Sequence, residues 1–154
     1  MALTRANVET ILVSRTSKYL SAVGMSTVVN GTNTDLSDPI GYAIRQLGFD
    51  VSDVTSVSDS DLSGISNDDY DQLFDIAELR TLQNIQGNFT LVDIKIGPRG
   101  EALSDLNAAL DKIVARKEKR IKDIYGVGLP SMSVSMFNYD FAEHDVENVD
   151  ESGW

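Results

Sequence analysis

Apolar residues at Leu103, Leu106, Leu110, Ile113, Val114, Ile121 and Ile124 recur every three or four positions. That spacing is the stripe of an amphipathic helix. Pro98 suits the first turn, where its missing N–H is no loss, and Gly126 suits a left-handed stop just past the end. The pattern predicts a helix over about 98–125, a rod of roughly 40 Å at ~1.5 Å rise per residue. A rod of that length needs packing partners along its whole stripe, in the same chain or in neighbouring copies.

Three further helical segments precede it. Thr4 is placed as an N-cap, and Val8, Ile11, Leu12, Tyr19 and Val23 mark one face of a helix that ends at Gly24. Met25 to Asp35 is turn-rich, with a short extended piece expected at Thr27–Val29. Asp38 then caps and Pro39 opens a short helix that buries Ile40, Ala43, Ile44 and Leu47 and stops at Gly48. Phe49 to Ser58 is expected to lie across the bundle as a linker, anchored by Val51, Val54 and Val57. Asp59 caps one helical turn through Leu62. From Ser66 or Asn67 to about Gly87, apolar residues (Tyr70, Leu73, Phe74, Ile76, Ala77, Leu79, Leu82, Ile85) fill more than one narrow stripe. A helix apolar over so wide an arc is expected to be central, or buried on two sides.

Two segments alternate instead. Leu91, Val92, Ile94 and Ile96 enclose Asp93 and Lys95, which predicts a short β-like segment near 89–96. Met132, Val134 and Met136 alternate with serines, and Phe137, Tyr139 and Phe141 continue the apolar edge in shifted parity. This reads as an extended arm. Residues 142–154 are acidic and patternless, and are expected to stay mobile. The expected fold is all-α: a bundle of about four helices over 1–128, an arm over 129–141 and a tail over 142–154. No internal repeat is visible.

At 154 residues with 42% hydrophobic content, one domain with a single core is expected. The 24 Asp and Glu against 13 Lys and Arg give a net charge of −11. This argues against gripping nucleic acid or an anionic membrane, because phosphates need cations. It does not argue against enclosing DNA without gripping it. With no cysteine, disulfides and thiolate metal sites are excluded. The start of the chain lacks an apolar signal region, and nowhere do 18 apolar residues run together, so synthesis in the cytosol is expected.

Charge is unevenly placed. Between Arg45 and Arg80 there is no Lys or Arg but there are nine acids: Asp50, Asp53, Asp59, Asp61, Asp68, Asp69, Asp71, Asp75 and Glu78. The sign reverses at Arg116, Lys117, Lys119, Arg120 and Lys122, interrupted by Glu118, and no Lys or Arg follows Asp123. Such asymmetry speaks of contacts. The basic run offsets the negative end of its helix dipole, and Glu118–Lys122 is a well-oriented i,i+4 pair. The same cations also form a docking face for an acidic surface, and the nine-acid region of a second copy is a candidate. The resulting candidate subunit interface comprises Arg116, Lys117, Lys119, Arg120 and Lys122 with Asp68, Asp69, Asp71 and Asp75. Met132, Val134, Met136, Phe137, Tyr139 and Phe141 are the candidate partner-binding residues, suited to strand addition.

Signals for catalysis or cofactors are weak. Asp59, Asp61 and Ser63 followed by Gly64 copy half of a calcium loop, but its twelfth position, which needs a bidentate Glu, is Tyr70. An ordinary cap and turn explains it better. His144 is the only histidine and lies in the tail, so neither a zinc site nor a preorganised nucleophile–histidine pair is expected. Asp68 and Asp69 read as complements to a helix dipole. Gly126-Val127-Gly128 follows a helix, so it is a C-cap and not a phosphate loop. Asn88-Phe89-Thr90 is a glycosylation sequon, which has no meaning without secretion. No catalytic residue, cofactor or metal is assigned.

The order of parts carries a resemblance. The capped first helix is followed by Asp38-Pro39-Ile40-Gly41 opening a short helix. An acidic segment then leads into Asp75-Ile76-Ala77-Glu78-Leu79-Arg80-Thr81-Leu82. Val92-Asp93-Ile94 and Gly97-Pro98-Arg99 lead into the long helix. This order, over about 1–130, resembles the head–tail connector (adaptor) proteins of tailed double-stranded DNA bacteriophages. The resemblance implies a small helical bundle, typically in twelve copies, forming a ring under the portal protein. Such a ring is part of the virion neck, extends the DNA channel and docks the next neck or tail protein. C-terminal segments of the family engage neighbouring rings, which suits 132–141. It carries over no active site. A protein-interaction or assembly module of another system is the alternative reading. A metal-dependent hydrolase built on clustered carboxylates is a second, which lacks a pocket signal.

Overall fold

The structure, a computed structural model, describes residues 3–53, 55–92 and 100–126. Five helices make up most of it: α1 (Arg5–Ala22), α2 (Ser37–Gln46), α3 (Asp59–Leu62), α4 (Tyr70–Val92) and α5 (Gly100–Tyr125). Short 3-10 turns at Thr34–Leu36 and Asn67–Asp69 lead into α2 and α4. No strand occurs among the described residues, and the expected helical bundle is present.

Several boundaries follow the expected chemistry. The Thr4 side chain accepts a hydrogen bond from the Asn7 N–H at 3.3 Å and so caps α1. Gly24, Gly48 and Gly126 all have positive φ, the left-handed conformation that ends a helix cheaply only at glycine. Other boundaries differ. The helix α2 starts at Ser37, after a 3-10 turn, so Asp38 is not its cap. The Asp38 carboxylate instead accepts from Arg80 Nε and Asn84 Nδ2 of α4, both at 3.0 Å. Ser58, one residue before Asp59, caps α3 in a reciprocal capping box with Asp61.

The β-like segment near 89–96 is corrected where it is described: residues 89–92 are the last turn of α4. Leu82, Ile85 and Phe89 are buried at three- and four-residue spacing, so the helical period overrides the local alternation. Gly87, expected to end the helix, does not have positive φ and is an ordinary helical residue. A mid-helix glycine costs only about 1 kcal/mol, less than burying Phe89 returns. Residues 93–96, Pro98, the arm 129–141, the tail 142–154 and His144 lie outside the described residues.

The helix α4 is central, with α1, α2 and α5 packed on it. Buried Leu73, Phe74, Ile76, Ala77, Leu79, Leu82, Ile85 and Phe89 therefore point in several directions, each covered by a different helix. This answers the wide apolar arc within one chain, with no second copy needed to cover it. Among the described residues the exposed large hydrophobics are only Val28, Val29 and Ile124. Against α4, α5 buries Leu110, Val114 and Ile121, flanked by half-buried Leu106 and Ile113. Val57 of the linker is buried as expected. It sits over Gly41 so closely that a Cβ there would lie 3.3 Å from its methyl group.

One buried ion pair organises the other side. Arg5 and Glu9, one turn apart on α1, join at 3.0 Å, with side chains only 3% and 0% exposed. Arg5 also donates to the carbonyl oxygens of Val57 and Asn33 and to Ser37 Oγ. Glu9 accepts the backbone N–H groups of Asn30, Gly31 and Asn33. The pair thereby fixes the 25–36 loop, the linker and the start of α2 to one turn of α1. Removing one partner leaves a buried charge and unpaired backbone groups. Glu9→Ala is therefore expected to cost about 3–5 kcal/mol in urea unfolding, and the Arg5→Ala/Glu9→Ala double variant less than the two singles together.

Candidate functional site

The helices α4 and α5 run antiparallel, because partners climb α5 as they descend α4. Gln86 donates to Asp111, Gln83 to Glu118 at 2.9 Å, and Lys117 pairs with Glu78 at 2.8 Å. Tyr125 donates to Asp75 at 3.0 Å, beside a 4.0 Å contact between Arg120 and Asp75. Arg15 of α1 completes the cluster, 2.9 Å from Glu78 and 3.8 Å from Asp75. Two carboxylates of α4 thus receive groups from α1 and α5, which joins three helices at one point. Glu78 is buried among them. Burial, then the Asp75 carboxylate that accepts its proton, pushes the Tyr125 phenol above its usual range.

The candidate subunit-interface residues divide on this geometry. Lys117, Arg120 and Asp75 are engaged within their own chain. Glu118, expected to pair with Lys122, turns to Gln83. Arg116, Lys119 and Lys122 are exposed and make no ion pair among the described residues. Lys112 joins them, one turn earlier on the same face. Lys112 stands apart from the dense run that starts at Arg116, so charge density along the chain does not mark it. Asp68 and Asp71 are exposed and Asp69 half-buried, at the turn into α4 and without a cation partner among the described residues. The partner-binding candidates 132–141 lie outside the described residues.

The half calcium loop is occupied by structural bonds. Asp59 Oδ1 accepts the Arg5 N–H at 2.6 Å. Asp61 accepts from the backbone N–H and hydroxyl of both Ser52 and Ser58. Those bonds, the Ser52 N–H first, hold the Asp61 carboxyl well below the usual aspartate range. Among the described residues no group of three or more His, Asp or Glu side chains is placed to hold a metal ion. Nor is any described helix long and apolar enough to cross a membrane.

Comparison with known proteins gives no match: no family model fits the sequence, and no curated protein or solved structure is significantly similar to it.

What the described geometry offers is a pair of charged faces on different sides of α4. One is the outward side of α5. The other is the acidic segment 50–61, held to α1 by Arg5 and to α2 through Val57 on Gly41.

Two measurements check these assignments. Glu78→Ala is expected to lower stability by about 2 kcal/mol, between the values for exposed and buried pairs, whereas Lys119→Ala stays within about 0.5 kcal/mol. Because the Asp61 pKa is lower folded than unfolded, its contribution is full at neutral pH and is lost as the pH falls below about 4. The gap in urea midpoint between the native chain and Asp61→Asn is therefore expected to narrow toward about pH 3.

Proposed function

We propose that this chain is a non-enzymatic structural subunit of a bacteriophage neck, a head–tail connector that assembles as a homo-oligomeric ring beneath the portal. The observation that carries the reading is the pair of oppositely charged faces on different sides of one small bundle. A single surface that matched itself would give a closed dimer. Two different complementary surfaces give a head-to-tail contact that closes into a ring when its rotation closes. The helix order that resembles the connector family supports the same reading, with about twelve copies implied by that resemblance. The described fold supplies the bundle: a central α4, and a long α5 packed along one side only.

In this reading the ring continues the channel through which DNA passes. A net charge of −11 suits that role, since an acidic lumen lacks the cations whose counterion release would hold the duplex in place. The alternating segment 132–141 serves as the arm that adds to the portal or to the next neck or tail protein. The protein is made in the host cytoplasm and resides in the virion.

Locating the protein in intact particles is the direct test. Antibody labelling or a particle reconstruction is expected to find it between capsid and tail, and its absence from purified virions would overturn the proposal. Truncation at Pro130 is expected to leave heads and tails that are made but do not join. Normal joining would remove the arm from the account.

A further inference from the structure

The charges that remain unpaired after folding point to one specific contact. Of the nine acids between Arg45 and Arg80, Asp75 and Glu78 are the two that meet a cation within salt-bridge distance among the described residues. On α5, Lys117 and Arg120 are the cations that answer them. What is left among the described residues is Lys112, Arg116, Lys119 and Lys122 on α5, and seven acids in two groups. Asp50, Asp53, Asp59 and Asp61 lie along the linker and α3, with Asp61 taken up by Ser52 and Ser58, and Asp68, Asp69 and Asp71 lie at the turn into α4. At α-helical spacing, 112, 116 and 119 form one line, with Lys122 beside it. The α5 acids nearest that line are largely turned away from it: Asp111 and Glu118 accept from Gln86 and Gln83 of α4. Among the described side chains Asp105 and Asp123 share the outward face with these four cations, which leaves it a positive surplus there. Exposed Ala108, Ala109 and Ala115 lie between the cations and leave the surface open to close approach.

The acidic segment cannot answer this line within one chain. Arg5 holds Asp59 by its backbone N–H and Val57 by its guanidinium, and Val57 is wedged onto Gly41 of α2. These ties keep 50–61 on the α1–α2 side, while α5 packs on α4. We infer that the cationic line of α5 seats the 50–59 segment of a second copy, with Arg116 and Lys119 facing Asp50, Asp53 and Asp59. The inference rests on the ring reading and names the contact by which neighbouring copies join. The pairs are exposed, so each contributes little alone, and the contact is expected to weaken as salt screens it.

Charge exchange tests it. One variant reverses the helix (Arg116→Glu/Lys119→Glu) and the other reverses the segment (Asp50→Lys/Asp53→Lys). All four side chains are exposed, and circular dichroism serves to check that each variant folds. In sedimentation at low salt the native chain is expected to self-associate. Each variant alone is expected to associate at least ~10-fold more weakly, and an equimolar mixture to recover association, because each supplies the partner the other lost. A native chain that stays monomeric at low salt, or a mixture no better than its parts, overturns the contact. So does a cationic line that binds duplex DNA while the chain shows no self-association. In any of these cases the connector reading would still stand if the protein is found in the neck of the virion. Association recovered in the mixture, with no protein in virions, would leave the contact and remove the viral role.

Discussion

The Arg5–Glu9 pair is the constraint on which one whole side of the molecule depends. Taking two charges out of water is costly, and the cost is offset only where every remaining donor and acceptor finds a partner. Here the partners are backbone groups of segments with little structure of their own. The carbonyl oxygens of Asn33 and Val57 and the N–H groups of Asn30, Gly31 and Asn33 all converge on one turn of α1. Two loops that would otherwise wander are thereby held against the bundle, and with them the acidic surface that the 50–61 segment carries.

The second organising fact is that α4 lies among three helices. Its apolar residues are consumed on several sides, so the folded chain has little exposed apolar surface among its described residues to offer a partner. What it offers is charge. The carboxylates of Asp75 and Glu78 draw Arg15, Lys117, Arg120 and Tyr125 into the junction of α1, α4 and α5. That neutralises the middle of the bundle and leaves opposite surpluses toward its two sides. The separation of those surpluses follows from which helix each rides on, not from the net charge.

Much of this architecture was legible in the chain. The three- and four-residue spacing located four helices, Thr4 and three glycines marked ends, and the wide apolar arc identified α4 as central. The misreadings share a cause, namely that local pattern lost to tertiary contact. Leu91 and Val92 belong to an alternating run, yet burial of Phe89 in the same last turn carries the helix through them. Asp38 has the chemistry of a cap, yet Arg80 and Asn84 lie across from it. Arg5 and Glu9 have the i,i+4 spacing of many solvated pairs, and nothing local reveals that two loops close over them. Likewise, the basic run could be read as a dense charge cluster, but which cations are used in-chain depends on the α4–α5 register, which a sequence pattern alone does not fix.

The proposed ring depends on unlike faces of neighbouring copies meeting, the line on α5 against the segment before α3. The chain contains no cysteine, so a single introduced pair reports on this without background. With Lys119→Cys and Asp53→Cys in the same chain, mild oxidation of the assembled protein is predicted to give a ladder of linked species that extends beyond the dimer. Failure to link, or links that stop at the dimer, would contradict it.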